Sequence, residues 1–475
     1  MATTLDPARS ARLAPTDSGP RASIAAVLVA VGVPMFMVTL DNLVVTNALP
    51  VIKHALGASL TDLQWFVNAY TLSFASLLLT ASALGDRLGR RRMFMGGIAL
   101  FTAASAACAL ATEPWMLIAA RAVQGFGAAA VMPLSLTLLS AAVPENKRSV
   151  AIGIWGGISG LGIAVGPVVG GAVVDGLSWQ WIFWLNVPIG IAVLPVVARV
   201  IGESRSGSRR LDPVGLVLAA SGVLAVVWGV VHGSGDGWTS ARVLVALVTG
   251  GVLLAVMIGW ELRTTDPMLP LRLFRSRAFA VTNVTSFTFA IGVFGAIFLL
   301  AQYFQVVQHL SPLQSGIRTL PWTMVPMVVA PVAGLVVDRV GARTLLVGGY
   351  ALLAAALGWM AAITTVGSGF VAFVGPFVLA GIGMGLTFAP GATVVMASAA
   401  PEDRAMASGT NNTVREVGVA MGVAVLSSVF ASRGSYLSPQ GYVDGLVPAV
   451  WLGAVVVAIG VVVALLLPRR IVPAS

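Results

Sequence analysis

The chain of 475 residues is 57% hydrophobic and only 10% charged, and its mean hydropathy is +0.93. A soluble domain carries about 25% charged residues, so this composition excludes an ordinary soluble protein and predicts a protein with many membrane spans. The single cysteine, Cys108, excludes an intramolecular disulfide and a cysteine-based metal or redox site.

Fourteen apolar stretches are long enough to form membrane-spanning helices, each of which needs about 20 residues. The short joints between them leave no room for a separate soluble domain. We predict spans at residues 24–47, 63–85, 93–111, 115–139, 150–173, 181–201, 213–232, 239–260, 279–304, 315–337, 344–365, 370–394, 406–431 and 447–467. Residues 1–22 are polar and are expected to form a disordered cytoplasmic N-terminus, and residues 468–475 a cytoplasmic tail.

The positive charges predict the orientation of these spans. Cytoplasmic segments of membrane proteins carry an excess of Lys and Arg. With both termini cytoplasmic, most of the 28 Lys and Arg residues fall in inner segments. The exceptions are Lys53, Arg242, Arg318 and Arg433 in outer segments and Arg121 and Arg415 inside spans. Topology therefore accounts for the net charge of +10, and no nucleic-acid partner is expected.

An internal repeat divides the chain into two halves. The string that begins at Asp86 with Asp-Arg-Leu-Gly-Arg-Arg recurs 252 residues later, from Asp338, as Asp-Arg-Val-Gly-Ala-Arg. Such repeats are typical of secondary transporters. We predict an all-α polytopic membrane protein of two pseudo-symmetric six-helix halves, residues 23–201 and 279–467, separated by an inserted helix pair with cytoplasmic linkers, residues 202–278.

One carboxylate lies near the middle of the first span. Placing an acid there costs roughly 2.5–3.5 kcal/mol on insertion scales, so Asp41 is a candidate proton site. The alternative is an aspartate hidden in the bundle, neutralised by a proton or a partner and without a role in transport. The neighbouring Asn42 is a candidate cavity or substrate residue.

The joint between the second and third spans reads SALGDRLGRRR, Ser82–Arg92. Its glycines permit a tight turn, and its aspartate can cap the next helix or pair with an arginine of a neighbouring segment. Such a pair would form a latch that breaks when the halves move, although the basic residues can also mark topology alone. The candidate latch residues in the two copies are Asp86, Arg87, Gly89, Arg91, Asp338 and Arg339.

The fourth span carries an arginine at the depth of the first-span acid. Arg121 and Gln124 lie three residues apart on one helix face. At 1.5 Å per residue, Asp41 and Arg121 both lie about 21 Å above the inner edge of a hydrocarbon core about 30 Å thick. We predict that the two charges are neighbours in at least one state, with Gln124 as a candidate cavity residue. The alternative is an arginine whose side chain extends to the membrane surface.

Two further spans carry patterned residues. In the fifth span, small residues at helical spacing allow close helix approach and a proline bends the helix. We predict tight packing at the seam between the halves through Gly162, Gly166, Pro167, Gly170 and Gly171. In span thirteen, Arg415 and Glu416 point about 100° apart and are expected to need different partners. A cavity or substrate role competes with local packing for Asn412, Arg415 and Glu416.

Several functional motifs are missing from the sequence. There is no GxxxxGK[ST] phosphate-binding loop, so ATP is not the expected energy source. The three histidines lie near outer ends of spans and form no metal or catalytic pattern, and there is no GxSxG nucleophile motif. We therefore expect no enzyme activity and no cofactor or metal.

Together these strings resemble the major facilitator superfamily, and specifically its fourteen-span drug:proton antiporter branch, from about residue 24 to 467. Leu40–Pro50 resembles the first-span motif LDxTVVNVALP, with Leu43 in place of Thr and Thr46-Asn47 in place of Asn-Val. DRLGRRR resembles the loop motif between spans two and three, although Ser82 replaces the usual Gly. RAVQGFG resembles the fourth-span motif, GPVVGG the antiporter motif that is scarce in symporters, and WQWIFWLNVPIG another string of this branch.

The resemblance implies a proton-coupled exporter of amphipathic drugs or antibiotics in the cytoplasmic membrane, with Asp41 as proton site and Arg121 as its modulator. Facing out, Asp41 takes a proton and the drug is released; facing in, Arg121 or the incoming substrate favours the anion. Few acids line the spans, so neutral or monocationic substrates are expected. The expected partners are the substrate, protons and the lipid bilayer, and the chain is expected to be a monomer. The alternatives are a dedicated exporter of one native metabolite, an importer, and a non-transporting membrane protein.

Overall fold

The computed structural model describes residues 23–204, 212–265, 267, 269, 271–399 and 404–468. The predicted N-terminal segment 1–22 and most of the predicted tail lie outside these residues. The described helices are α1 (Ile24–Leu56), α2 (Leu60–Leu88), α3 (Arg90–Ala109), α4 (Pro114–Ala142), α5 (Glu145–Gly176), α6 (Trp181–Trp184), α7 (Asn186–Val200), α8 (Pro213–Asp236), α9 (Ala241–Glu261), α10 (Arg277–Val306), α11 (Pro312–Val340), α12 (Ala342–Ile363), α13 (Phe370–Ala397), α14 (Arg404–Arg433) and α15 (Pro439–Ala464). A short 3-10 helix, Leu271–Arg275, precedes α10.

Among the described residues, 13 helical segments are long and apolar enough to cross a membrane. α6 and α7 count as one of them, over Trp181–Val200. The remaining predicted span corresponds to α2, which has 29 residues. The predicted all-α fold, with two six-helix halves and an inserted pair, is confirmed.

Several helices extend beyond the predicted apolar spans. α1 continues past residue 47 to Leu56, where Gly57 adopts a left-handed conformation that ends the helix. Its last turns remain helical because Asn47, Leu49 and Ile52 are buried against neighbouring helices. Tertiary packing, rather than hydropathy, sets this boundary.

The repeated string forms the same tight joint in both halves. Gly89 joins α2 to α3 with φ of 117°, and Gly341 joins α11 to α12 with φ of 90°. Both values lie in the region that residues with a Cβ rarely adopt. The turn therefore explains why the glycine stands at the same place in each copy of the string.

The inserted hairpin packs at one of two seams between the halves. The halves meet where α5 contacts α11 and where α2 contacts α14. α8 contacts both α2 and α14, whereas α9 packs mainly against α8. A buried apolar cluster that includes Leu72 of α2, Val227 of α8 and Ala424 of α14 holds this arrangement.

Three glycines of the fifth-span string face α1 rather than the seam, so the seam prediction is wrong for them. Gly162, Gly166 and Gly170 are spaced by four residues and share one helix face. A Cβ on Gly166 would lie 2.9 Å from that of Leu43 in α1. Because α1 belongs to the same half, these glycines bring two helices of that half together.

The other two residues of the string lie at the seam, as predicted. Pro167 and Gly171 are also four residues apart, on the neighbouring face of α5. A Cβ on Gly171 would clash with Pro312 and Leu313 of α11, and one on Gly316 of α11 would clash with the carbonyl of Pro167. The backbones of α5 and α11 therefore approach closely at these positions.

The described contacts of Arg91 lie within one half, so the latch between halves stays a prediction. The Arg91 Nη1 atom donates to the carbonyls of Ala198 and Ile201 at 3.3 and 3.1 Å, at the end of α7. Glu203 accepts from the backbone N–H groups of Arg91 and Arg92 at 3.0 and 3.3 Å. Arg87 and Arg339 are exposed, and the side chains of the predicted latch residues Asp86 and Asp338 lie outside what the structure describes.

Replacing Glu203 with Ala should destabilise the joint between α3 and α7. Gly89 provides no side-chain cap to α3, so Glu203 supplies the acceptors for its first N–H groups. We expect the free energy of unfolding, measured in detergent with SDS, to fall by about 1–2 kcal/mol. The exposed Arg87→Ala is the control and should change it by less than about 0.5 kcal/mol. Equal effects of the two substitutions would contradict this capping role.

Candidate functional site

Two buried charges meet inside the N-terminal half. The Arg121 Nη1 atom donates to Asp41 Oδ2 at 2.6 Å, and both side chains are 1% exposed. This contact confirms that the mid-span aspartate of α1 and the arginine of α4 are neighbours. Each charge is thereby compensated, which a buried ion requires, and removing either partner would leave the other unpaired.

Amide side chains complete the hydrogen bonding of the carboxylate. Gln124 Nε2 and Asn186 Nδ2 donate to Asp41 Oδ1 at 3.0 and 2.9 Å. Gln124 also accepts from Arg121 at 2.6 Å and donates to Ser105 Oγ at 2.8 Å. Groups from α3, α4 and α7 thus form one hydrogen-bonded network around the carboxylate of α1.

α2 holds the guanidinium from the other side. The Arg121 Nε atom donates to the backbone carbonyl of Phe66 at 3.1 Å. The Arg121 Cζ atom lies 4.1 Å from the centroid of the Tyr70 ring, a cation–π contact. The arginine therefore has a carboxylate, an amide, a carbonyl and a ring as partners inside the protein.

A separate apolar cavity lies between the halves and is lined by residues of both. α1 contributes Leu43, Thr46 and Asn47 to its lining, but not Asp41. At 100° per residue, Asp41 lies about 160° around α1 from Leu43. The ion pair and the cavity are therefore on opposite sides of α1.

Hydrogen bonds close the bundle at the end predicted to be extracellular. Asn47 Nδ2 donates to the carbonyls of Pro167 in α5 and Pro312 in α11, at 2.9 and 2.8 Å. Gln305 Nε2 of α10 donates to the Asn47 carbonyl at 2.8 Å. Further hydrogen bonds between the halves join Leu313 N to Asp175 Oδ2 and Thr323 Oγ1 to Ala164 O. These hydrogen bonds between the halves lie from mid-bundle to this end.

Three glycines near the other end of α5 make no close contact with a neighbouring helix. Cβ atoms added to Gly156, Gly157 and Gly160 would meet no atom within 4 Å. The close backbone contacts of α5 with α11 at Pro167 and Gly171 thus lie toward the predicted outer end of the helix.

The polar patch of α14 is arranged differently from the prediction. Arg415 Nη2 contacts Glu416 Oε1 at 3.2 Å, so the two side chains pair with each other instead of with separate partners. The long arginine side chain spans the angular separation between adjacent positions. Asn411, rather than Asn412, contacts α10, donating to Asn283 and Ser286 at 3.2 and 3.1 Å. Asn412 and Asn42 are half-buried.

Two important polar residues were not predicted as site residues. Asn186 lies in the WQWIFWLNVPIG string, whose aromatic residues draw attention away from a single polar side chain. Its role depends on the approach of α7 to α1. Asn47 lies two turns beyond Asp41, at a position where the resemblance expects Val. A polar side chain in place of an apolar one was the signal that could have identified it.

The sequence model of the Major Facilitator Superfamily matches residues 31–423 and 284–475. The multidrug resistance protein Stp of Mycobacterium tuberculosis is 38% identical over 85% of this chain and 75% of its own. The tetracenomycin C resistance and export protein of Streptomyces glaucescens is 35% identical, over 89% of this chain and 79% of its own.

Solved structures agree on the fold. A POT family peptide transporter matches with a TM-score of 0.68 at 17% identity, covering 93% of this chain and 95% of its own. An inward-facing bacterial homologue of the lysosomal transporter Spinster matches with a TM-score of 0.66 at 17% identity, covering 95% and 98%. At this level of identity the likeness concerns the arrangement of helices alone.

Proposed function

The chain belongs to the Major Facilitator Superfamily and is a multi-pass membrane transporter rather than an enzyme; from this premise we propose that it exports amphipathic drugs or antibiotics in exchange for protons. The relatives named for multidrug resistance, tetracenomycin C export and methylenomycin A resistance support drug export. The observation that carries proton coupling is the buried contact of Asp41 with Arg121.

The proposed cycle uses two protonation states of Asp41. In this proposal, an arrangement with the outer end closed and the carboxylate paired represents the inward-facing, deprotonated state. Protonation from outside would neutralise Asp41 and remove its attraction for Arg121, loosening the contacts among α1, α4 and α7. Proton and substrate each favour a different state, which is what a coupled exchanger requires.

The energy available to this cycle is sufficient for export. One proton moving across ~150 mV supplies about 3.5 kcal/mol, which supports a substrate gradient of a few hundred-fold. The surrounding membrane in this proposal is the cytoplasmic membrane, with both termini in the cytoplasm, as the distribution of Lys and Arg predicts. We expect a monomer that needs no cofactor.

Transport in proteoliposomes tests the proposal. A panel of fluorescent and antibiotic compounds, including ethidium, is first screened for protection or efflux in efflux-deficient cells that express the chain. With a responsive compound, an imposed pH gradient should drive uptake into inside-out proteoliposomes. The protonophore CCCP should abolish accumulation above the external concentration. Accumulation that survives the protonophore would overturn proton coupling.

The screen also separates the main alternative. A dedicated exporter of one native metabolite would protect against a single compound class, and the names of the relatives for tetracenomycin C and methylenomycin A favour testing it. Protection against several unrelated classes would support a multidrug exporter.

A further inference from the structure

The cavity between the halves has a lining without charge. Its walls come from α1, α5, α10, α11 and α13, and are mainly aliphatic and aromatic. None of its lining residues is Asp, Glu, Lys, Arg or His. A cation that entered this space would leave water without gaining a counter-ion, which is unfavourable in an apolar environment.

Nearly all hydrogen-bond donors of the cavity lining already donate to protein atoms. The Thr46, Thr319 and Thr323 hydroxyls donate to the carbonyls of Asn42, Gly316 and Ala164. The Asn47 amide donates to two carbonyls at the outer closure. The donors of these four side chains are therefore committed to the protein itself and are not available to a ligand without breaking existing hydrogen bonds.

Trp322 is the exception. Its side chain borders the cavity beside Phe377, with ring centroids 5.6 Å apart, and the residue is 3% exposed. Its indole Nε1–H is buried and has no hydrogen-bond partner among the described residues. Buried indole N–H groups usually find a partner, so this donor, on a ring that borders the cavity, is a candidate partner for a molecule bound there.

We propose that this cavity binds uncharged, largely apolar molecules that present one carbonyl or ether oxygen to the indole N–H of Trp322. The proposal rests on the proposed export function and narrows its substrate class from amphipathic molecules in general to neutral hydrogen-bond acceptors. Aromatic rings of Trp322, Phe294 and Phe377 provide the apolar surface. The single donor fixes the orientation of the ligand, as a few placed polar groups do in apolar sites.

Equilibrium binding of a solvatochromic probe tests the proposal without a proton gradient. Prodan is a neutral naphthalene with one ketone oxygen, and its emission reports both an apolar surrounding and a hydrogen bond to that ketone. We expect purified protein in detergent to bind Prodan saturably and Trp322→Phe to weaken binding about 5-fold, the value of one hydrogen bond. The analogue in which a propyl group replaces the propionyl group should bind wild type and Trp322→Phe alike.

Matched controls separate this effect from a general one. Trp359→Phe changes a tryptophan that is 48% exposed and does not line the cavity, so it should leave the Kd of Prodan unchanged. Trp322→Phe should leave the thermal unfolding midpoint unchanged or raise it, because it removes a buried donor without a partner. Ethidium should compete weakly or not at all for this site.

Three results would overturn the proposal: absence of saturable Prodan binding, equal loss of affinity for Prodan and its propyl analogue, or strong competition by ethidium. Binding that behaves as expected in a protein that shows no proton-driven transport would leave this site in place and refute the proposed function instead. The two failures are therefore distinguishable.

Discussion

Replacing Asp41 with Asn should abolish proton-driven accumulation of substrate while allowing substrate to equilibrate across the membrane. Asn keeps the oxygen that accepts from Gln124 and Asn186, but it cannot exchange a proton. It therefore resembles the neutral form of the proposed cycle permanently. We expect uncoupler-sensitive accumulation in proteoliposomes to fall at least about 100-fold, since the few-hundred-fold gradient available from one proton is lost.

The Asp41 substitution also leaves Arg121 buried without a counter-charge, and this cost must be measured separately. Breaking a buried ion pair from one side costs about 3–5 kcal/mol of stability. Arg121→Met should be similarly destabilising, whereas the double variant Asp41→Asn, Arg121→Met should recover much of the stability because no unpaired charge remains. The double variant should still lack proton-driven accumulation.

The control for this experiment is Asp444→Asn, an exposed carboxylate of α15. It should retain accumulation and stability. Full proton-driven transport by Asp41→Asn would refute the assigned proton site. Additive losses of stability in the double variant would show that the two charges do not act as a pair.

Replacing Asn47 with Val should open the bundle at its predicted outer end. Val has nearly the same size, but it removes two donors to Pro167 and Pro312 and the amide oxygen that Gln305 approaches at 3.2 Å. If these contacts contribute about 2–3 kcal/mol together, their loss shifts the equilibrium toward the outward-open state roughly 30- to 150-fold.

Cysteine accessibility measures this shift. Cys108 is buried and is the single cysteine of the chain, so Cys108→Ser gives a background for one introduced thiol. Thr46→Cys places that thiol in the cavity lining, where Thr46 is 7% exposed. A membrane-impermeant maleimide added outside should label this position much faster when Asn47→Val is present. The rate should approach the 30- to 150-fold increase if opening is rate-limiting.

Asn411→Val is the matched control because it removes hydrogen bonds of an asparagine within one half. It should leave the labelling rate at position 46 unchanged. An unchanged rate with Asn47→Val, or an equal increase with both substitutions, would contradict the assignment of Asn47 to the outer closure.

Features that follow from the depth of a charge in the membrane or from a repeated local string could be predicted from the sequence. A charge inside an apolar span must meet protein, and its depth follows from the helical rise, so the pairing of Asp41 with Arg121 was predictable. The repeated string likewise predicted the two halves, and Gly89 and Gly341 form the same turn in each.

Features that depend on which helix faces which could not be predicted in this way. The spacing of Gly162, Gly166 and Gly170 indicates close packing, but not whether the neighbour is α1 or α11. Adjacent positions suggested separate partners for Arg415 and Glu416, yet side-chain length overrode their angular separation. Asn186 joins the site only because α7 packs against α1.

The placement of the inserted hairpin makes the two flanks of the molecule unequal toward lipid. α8 covers the line where α2 meets α14, whereas α11, beside α5, exposes Val328, Val332 and Leu335 at 70%, 53% and 81%. Within the described part of the chain, a further helix thus packs over the junction of α2 and α14, whereas α11 presents an exposed apolar surface beside its junction with α5. A lipophilic molecule dissolved in the bilayer would encounter this apolar surface on the flank of α5 and α11.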